Sequence, residues 1–142
     1  MRNTDSRRGL TLIELMVCTV IIGILAGTAL PLSRNFVRSK KEEALKERLR
    51  DLRQAIDRYH DVMLKRNPGA SQDALYPVKL EDLTQARVLR RIPLDPFLGR
   101  PEWGTRSTTD DADTPFTDGR NIFDVRSLAT ATAFDGTPYS TW

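Results

Sequence analysis

Residues 10–32 form the predominantly apolar stretch LTLIELMVCTVIIGILAGTALPL, in which Glu14 is the only charged residue. A helix needs roughly 20 apolar residues to cross the hydrocarbon core of a bilayer, so the stretch is long enough to span it. A secretory signal peptide has a shorter apolar core, with its cleavage site behind it. Here a basic, polar segment, residues 1–9, comes first. The stretch therefore predicts a transmembrane helix, while similar numbers of basic residues on its two sides leave its direction open.

The helical pattern continues well beyond the apolar run. Residues 39–65 are highly charged, lack Gly and Pro, and carry apolar residues at alternating gaps of four and three, namely Leu45, Leu49, Leu52, Ile56, Tyr59 and Met63. This spacing places them on one narrow stripe of a helix. Asn67-Pro68-Gly69 ends the helix, and Pro31 is expected to bend it. We expect the rest of the chain to cover the stripe; a coiled coil is the alternative.

The remaining residues, 67–142, are expected to form a small head. Spacing, flanking prolines and turn residues predict the following order: a helix over Leu80–Leu89, a loop over Ile92–Pro101, strands over Glu102–Thr108 and Asn121–Ser127 with a polar loop between them, and a tail over Asp135–Trp142 that adds a strand or packs on the sheet. The predicted fold class is α+β. A long N-terminal helix, transmembrane over residues 10–32 and extended over 33–66, packs on a small antiparallel β-sheet head.

Composition argues against several functions. The leader holds three arginines and one aspartate, so its loss would lower the net charge from +3 to about +1, and the basic residues alternate with acids along a helix. Nucleic acid is therefore not an expected partner. One cysteine, Cys18, and one histidine, His60, exclude an intramolecular disulfide and a His/Cys zinc cluster within one chain. His60 lies among charged residues, which favours a surface or head-contact role over that of a catalytic base, and no enzyme activity is predicted.

The junction of leader and apolar run resembles the prepilin processing signal of the type IV pilin-like family. Arg7-Arg8-Gly9 precedes Leu10-Thr-Leu-Ile-Glu14, matching that family's basic leader ending in Gly, apolar residue, Thr-Leu and Glu. Phe is the usual first mature residue, and this chain has Leu10. Pro31 falls where pilins commonly carry a helix-kinking proline. In the head, similarity to the major (G-type) pseudopilins of type II secretion is carried by Tyr76-Pro77, Ile92-Pro-Leu-Asp-Pro-Phe-Leu-Gly99, Phe123-Asp-Val-Arg-Ser127 and Trp142.

This resemblance implies cleavage between Gly9 and Leu10 by prepilin peptidase and N-methylation of Leu10. It also implies a single-pass inner-membrane protein with a cytoplasmic N-terminus and a periplasmic head. The function implied is that of a structural subunit of a periplasmic pseudopilus filament that drives protein export by type II secretion. The implied partners are further copies in a helical homopolymer, minor pseudopilins, the inner-membrane secretion platform and the lipid bilayer. The alternative is a type IV pilin of a surface fibre for adhesion or motility, which the small head and missing disulfide loop disfavour.

Glu14 is the predicted assembly residue, together with Pro31. A carboxylate inside an apolar span costs a few kcal/mol and needs a partner. Cleavage after Gly9 would free a cationic amine on Leu10, and Glu14 of one subunit is expected to pair with that amine on its neighbour. Such a buried pair would fix the axial register of the subunits.

Acidic residues in or beside the head loops raise the question of a metal: Asp110, Asp111, Asp113, Asp118, Asp124 and Asp135. G-type pseudopilins often hold calcium within a Ser-Leu-Gly-Ala-Asp-Gly stretch near the C-terminus. Here the segment from Ser127 to Gly136 is longer and lacks acids in its middle. Solvated turn acids are therefore the preferred interpretation and no cofactor is assigned, with a calcium site at Asp124 or Asp135 as the alternative.

Overall fold

The computed structural model describes residues 10–111 and 117–142, with their side chains except those of residues 28–33. The chain divides into two compact units, Met1–Ser39 and Lys40–Trp142. One helix, α1 (Leu12–Arg66), runs through both units for 55 residues. Its last turn closes with a bond from the Asn67 N–H to the Met63 carbonyl (2.8 Å), and the helix ends before Pro68, which lacks an N–H. The predicted long helix is confirmed. Over the described side chains, no helical segment combines the length and apolar character needed to cross a bilayer.

The second unit adds short elements to α1. They are a 3₁₀ turn (Gln72–Leu75), α2 (Leu80–Gln85), β1 (Gly104–Arg106), β2 (Asp124–Arg126) and a second 3₁₀ turn (Tyr139–Thr141). The two strands pair antiparallel, with Thr105 opposite Val125. The predicted small antiparallel sheet is confirmed, but each strand has three residues rather than seven. Side chains take the backbone donors beyond β1, because the Ser107 N–H donates to Asp110 (2.7 Å) and the Thr108 N–H to Asn121 (3.0 Å).

Helix α2 also ends earlier than predicted, at Gln85 instead of Leu89. Arg87 adopts the left-handed conformation, with φ of 59°. Its N–H donates to the Thr84 carbonyl, and the Val88 N–H donates to the Leu83 carbonyl, both at 3.1 Å. This is a Schellman ending, in which the left-handed residue is usually Gly. An arginine at that position gives no sequence signal for the turn.

The apolar stripe of α1 forms the centre of the core. Leu45, Leu49, Leu52 and Ile56 are at most 2% exposed. They pack in one cluster with residues from α2, from the two strands and the positions next to them, and from the C-terminal segment. These residues are Leu83, Trp103, Ile122, Val125, Ala129, Ala133 and Tyr139. Tyr59 and Met63 are half-buried at the end of the stripe. The prediction that the head covers the stripe is confirmed by this burial. Each fully buried Leu or Ile stabilises the fold by about 1.5–3 kcal/mol.

A polar cluster lies beneath the proline-pinned loop. Asp95 is fully buried, and one of its carboxylate oxygens accepts the N–H groups of Phe97 (2.7 Å) and Leu98 (3.2 Å). The other accepts the hydroxyl of buried Ser127 (2.6 Å), just beyond β2. The Ser127 oxygen in turn accepts the Ala129 N–H (3.0 Å). This cluster therefore ties the loop to the sheet, chiefly through the buried hydrogen bond between Ser127 and Asp95.

The C-terminal tail packs on α1 instead of adding a strand. Its only ladder contact among the described residues is an isolated bridge between Thr132 and Pro138. Tyr139 is fully buried, stacks on Phe97 with ring centroids 4.2 Å apart, and donates its hydroxyl to Glu42 of α1 (2.7 Å). Lys46 of α1 lies 4.4 Å from the ring centre of Trp142. The sequence predicts an added strand or packing on the sheet, and the structure shows packing, in which the second 3₁₀ turn contacts β2 as well as α1.

Candidate processing and assembly site

The structure places the predicted site residues at the start of α1. Gly9 lies outside the described residues, so the predicted cleavage position stays a prediction. Leu10 is the first described residue and is 71% exposed. Glu14 is exposed in the first turn of α1. Pro31 falls within the helix, and because its side chain is outside the described set, the predicted bend is untested.

Thr11 caps the helix immediately after Leu10. Its carbonyl accepts the Leu15 N–H (3.2 Å), and its hydroxyl accepts the Glu14 N–H (3.3 Å). The first N–H groups of a helix have no partner inside it, and a Thr side chain at this position satisfies one of them. Thr followed three residues later by Glu is the sequence pattern of a capping box, so this role was visible in the sequence. The Thr-Leu-Ile-Glu motif thus begins the helix and also fixes where Glu14 lies on it.

The position of Glu14 suits a carboxylate electrostatically. The N-terminal turn of a helix carries a partial positive charge, which favours anionic side chains there. The α-amine that cleavage would create on Leu10 lies four residues earlier in the chain. The Glu14 carboxylate and this amine would therefore lie about one turn apart along the helix axis, where an adjoining molecule could contact both.

The helix that follows exposes its apolar side chains. Ten large apolar residues between Leu12 and Leu25 are each at least half exposed: Leu12, Ile13, Leu15, Met16, Val17, Val20, Ile21, Ile22, Ile24 and Leu25. A side chain added at Gly23 or Gly27 would meet nothing within 4 Å. A contiguous apolar surface of this kind marks a contact with membrane or protein. Within the part of the chain that the structure describes, this apolar surface stays exposed.

Asp110 and Asp118 are engaged within their own loop. The N–H groups of Ser107 and Asp118 hold the pKa of Asp110 below its usual value. The hydroxyl of Thr109 and the N–H of Arg120 do the same for Asp118. Both carboxylates therefore already serve as acceptors that shape the chain between β1 and β2.

The two acids considered for calcium are also engaged. Asp124 pairs with Arg53 of α1 at 2.7 Å, and Asp135 accepts the hydroxyl (2.6 Å) and N–H (2.9 Å) of Thr137, which lower the pKa of Asp135. Among the described residues, no three or more His, Cys, Asp or Glu side chains gather as a metal-binding group. Asp113 lies outside the described residues.

His60 contacts the head, as predicted. Its Nε2 lies 3.2 Å from the Gln72 side-chain oxygen, and its ring lies 4.7 Å from that of Tyr76, centre to centre. Tyr76 in turn meets the ring of Phe123 edge-on at 5.5 Å. The imidazole therefore links α1 to the head through packing and a hydrogen bond.

Comparison with known proteins points in one direction. The prokaryotic N-terminal methylation motif matches residues 4–30. The type II secretion system core protein G of Escherichia coli (strain K12) is 43% identical over 60 residues, which make up 42% of this chain and 41% of the relative. The aligned part thus spans about two fifths of the relative's length. No solved structure matches significantly. The two matches support a pseudopilin-like family for this chain, in agreement with the resemblance found in its sequence.

Proposed function

We propose that this pseudopilin-like chain is a structural subunit of a periplasmic filament that drives protein export by type II secretion. The subunit would wait in the inner membrane through residues 10–32, with the head in the periplasm. The observation that carries the proposal is the start of α1, where a methylation motif, a capped first turn with Glu14 and an uncovered apolar helix follow one another. The identity to core protein G supports the assignment to secretion.

In this function the leader prevents assembly until it is removed. Cleavage between Gly9 and Leu10 would convert an amide nitrogen into a cationic amine. Glu14 of an adjoining subunit would then pair with that amine inside an apolar filament core, where neither charge has water. The head takes no part in this pairing, and its own core is complete without it.

The first experiment tests processing. Mass spectrometry of the mature protein is expected to find Leu10 at the N-terminus, with a methylated amine. A Gly9→Asp variant would keep residues 1–9, because glycine allows a protease close approach to the backbone and aspartate does not. A mature protein that begins at Met1, or beyond Leu32, would contradict the proposed function.

The second experiment tests assembly. Glu14→Gln keeps the shape of the side chain and removes its charge, leaving the amine of the neighbouring Leu10 unpaired. Removing one partner of a buried ion pair typically costs about 3–5 kcal/mol, and every subunit repeats the loss. Processed protein should accumulate in the membrane without filaments, as judged by immunoblot, shearing and microscopy. Glu47 is an exposed carboxylate on the same helix. Glu47→Gln is therefore the matched control, and this variant should assemble normally. Normal filaments from processed Glu14→Gln protein would contradict the pairing.

A further inference from the structure

Two arginines follow the apolar run without a role in the proposed function. Arg34 and Arg38 lie two and six residues beyond Leu32. In the orientation proposed above they are on the periplasmic side, whereas basic residues that flank a span are usually enriched on the cytoplasmic side. Spanning the membrane therefore gives no reason for them.

The same turns of α1 expose two large apolar side chains. Phe36 is 64% exposed and Val37 is 51% exposed. Arg34 and Arg38, four residues apart, lie on one face of the helix, whereas Phe36 and Val37 lie on its other sides. We refer to these four residues as the collar. Basic and aromatic side chains side by side are typical of a surface that contacts both headgroups and acyl chains.

The position of the collar along α1 fits the headgroup layer. Phe36 lies four residues beyond Leu32, which is about 6 Å along a helix. The polar layer on each side of the hydrocarbon core is about 5–8 Å thick. If residues 10–32 span the core, the aromatic ring lies at the height of the headgroups, within reach of the acyl chains.

We propose, on the basis of the membrane-anchored subunit described above, that the collar binds anionic phospholipid headgroups of the periplasmic leaflet. Arg34, which is exposed, and Arg38, which is half-buried, supply the charge complementarity, since a guanidinium group can form paired hydrogen bonds to phosphate. Phe36 and Val37 enter the boundary between headgroups and acyl chains. The collar thereby sets the depth at which the subunit waits before assembly, and a neighbouring subunit must displace the lipid to contact this turn.

Spin-label depth measurements on the full-length chain in vesicles test the proposal. Cys18 is the only cysteine, so a Cys18→Ser background accepts one new cysteine at a time. Asn35→Cys reports the collar without altering its members, Val20→Cys reports the span, and Glu47→Cys reports the head part of α1. Each label is examined in phosphatidylcholine vesicles and in vesicles that also contain phosphatidylglycerol, by its accessibility to oxygen and to a water-soluble nickel complex.

The label at residue 35 should lie between those at 20 and 47, and should be less accessible to nickel when phosphatidylglycerol is present. Replacing Arg34 and Arg38 together by Gln should abolish that difference between the two lipids. Phe36→Ser should raise nickel accessibility in both, and Arg50→Gln, farther along α1, should change neither.

Three results would overturn the proposal. The label at 35 is as accessible to nickel as the label at 47, the arginine variant keeps the lipid difference, or spin–spin broadening at 35 shows that a second copy covers the collar. A label at 20 that is open to nickel would instead contradict the membrane anchor itself, so the two failures are distinguishable.

Discussion

Replacing Asp95 by alanine tests whether a single buried carboxylate holds the head together. Its two oxygens accept three hydrogen bonds, from the N–H groups of Phe97 and Leu98 and from the hydroxyl of Ser127. The first two bonds shape the loop that follows Asp95, and the third joins this loop to the end of β2. Asp95→Ala removes every acceptor and leaves the three donors in place.

The expected loss of stability follows from those donors. A buried donor without a partner costs about 1–3 kcal/mol. The bonds of Phe97 and Leu98 are only partly buried, so water can replace some of their energy, and we expect a total loss of about 3–5 kcal/mol. A small domain has only about 5–15 kcal/mol in all. Ser127→Ala removes two bonds, the one to Asp95 and the one from the Ala129 N–H. The double variant should lose less than the sum of the two single losses, because the Asp95–Ser127 bond is counted in both.

Urea unfolding of the full-length chain in detergent measures these losses. Trp103 is a suitable fluorescent reporter, because it is 6% exposed and its indole N–H donates to the Pro93 carbonyl (2.9 Å) in the same loop. Asp135→Ala is the matched control, since the hydrogen bonds of that exposed carboxylate go to Thr137 in its own turn, and it should cost less than about 1 kcal/mol. If Asp95→Ala unfolds at the same urea concentration as the control, the buried cluster does not stabilise the head.

Four further predictions concern the head. Leu52→Asp buries a charge in the core and should unfold the head, at a cost of several kcal/mol visible as protease sensitivity; resistance equal to wild type would show that the stripe faces elsewhere. Arg87→Gly should raise the free energy of unfolding and Arg87→Val should lower it, by about 1 kcal/mol each, since φ is positive there; melting temperatures in the reverse order would contradict the left-handed turn. The pKa of Asp110 lies below its usual 3.8 when folded, so its contribution is present above that value and is lost as pH falls through the lowered one; the stability difference from Asp110→Asn should be constant near neutral pH and vanish in strong acid, and a difference that grows in acid would have the wrong sign. Millimolar calcium should leave the melting temperature unchanged if the acids are solvated turn residues. A ligand that binds only the folded state raises the melting temperature, so a rise would establish the calcium alternative.

Periodic features of the sequence predict the structure well. The stripe from Leu45 to Met63 has the spacing of a helix face. Its burial requires only that the head has an apolar surface to pack on it. The end of α1 is equally local, because Asn67, Pro68 and Gly69 cannot continue a helix of this kind. Neither prediction depends on how the head is connected.

Features that depend on distant partners escape such prediction. Asp95 looks like a loop residue between prolines, and its burial follows from Ser127, 32 positions later. Asn121 occupies the predicted start of a strand, but its side chain bonds Thr108 and the Asp73 carbonyl instead. Both side chains accept backbone N–H groups, Asp95 those of Phe97 and Leu98 and Asn121 that of Thr108, which propensity alone does not reveal.

The N-terminal motif can be recognised for a different reason. In the proposed function a protease recognises residues 7–14 as a linear motif, so the information lies in their order along the chain. The partner of Glu14 is different, since it belongs to another molecule. The structure of one chain therefore gives the height and exposure of Glu14, and its role rests on the proposed filament.

In the proposed filament, polar groups at the start of α1 decide whether a subunit stays in the membrane or joins its neighbours. The apolar side chains from Leu12 to Leu25 are exposed in the single chain, and lipid tails and neighbouring helices cover them about equally well, because both are apolar. The hydrophobic effect therefore gives little preference for either state. A carboxylate and an amine differ, since each is costly alone in an apolar medium and is satisfied when they meet. Glu14 thus supplies the difference in free energy that the larger apolar surface cannot, and a single change of charge there should prevent assembly while leaving that surface intact.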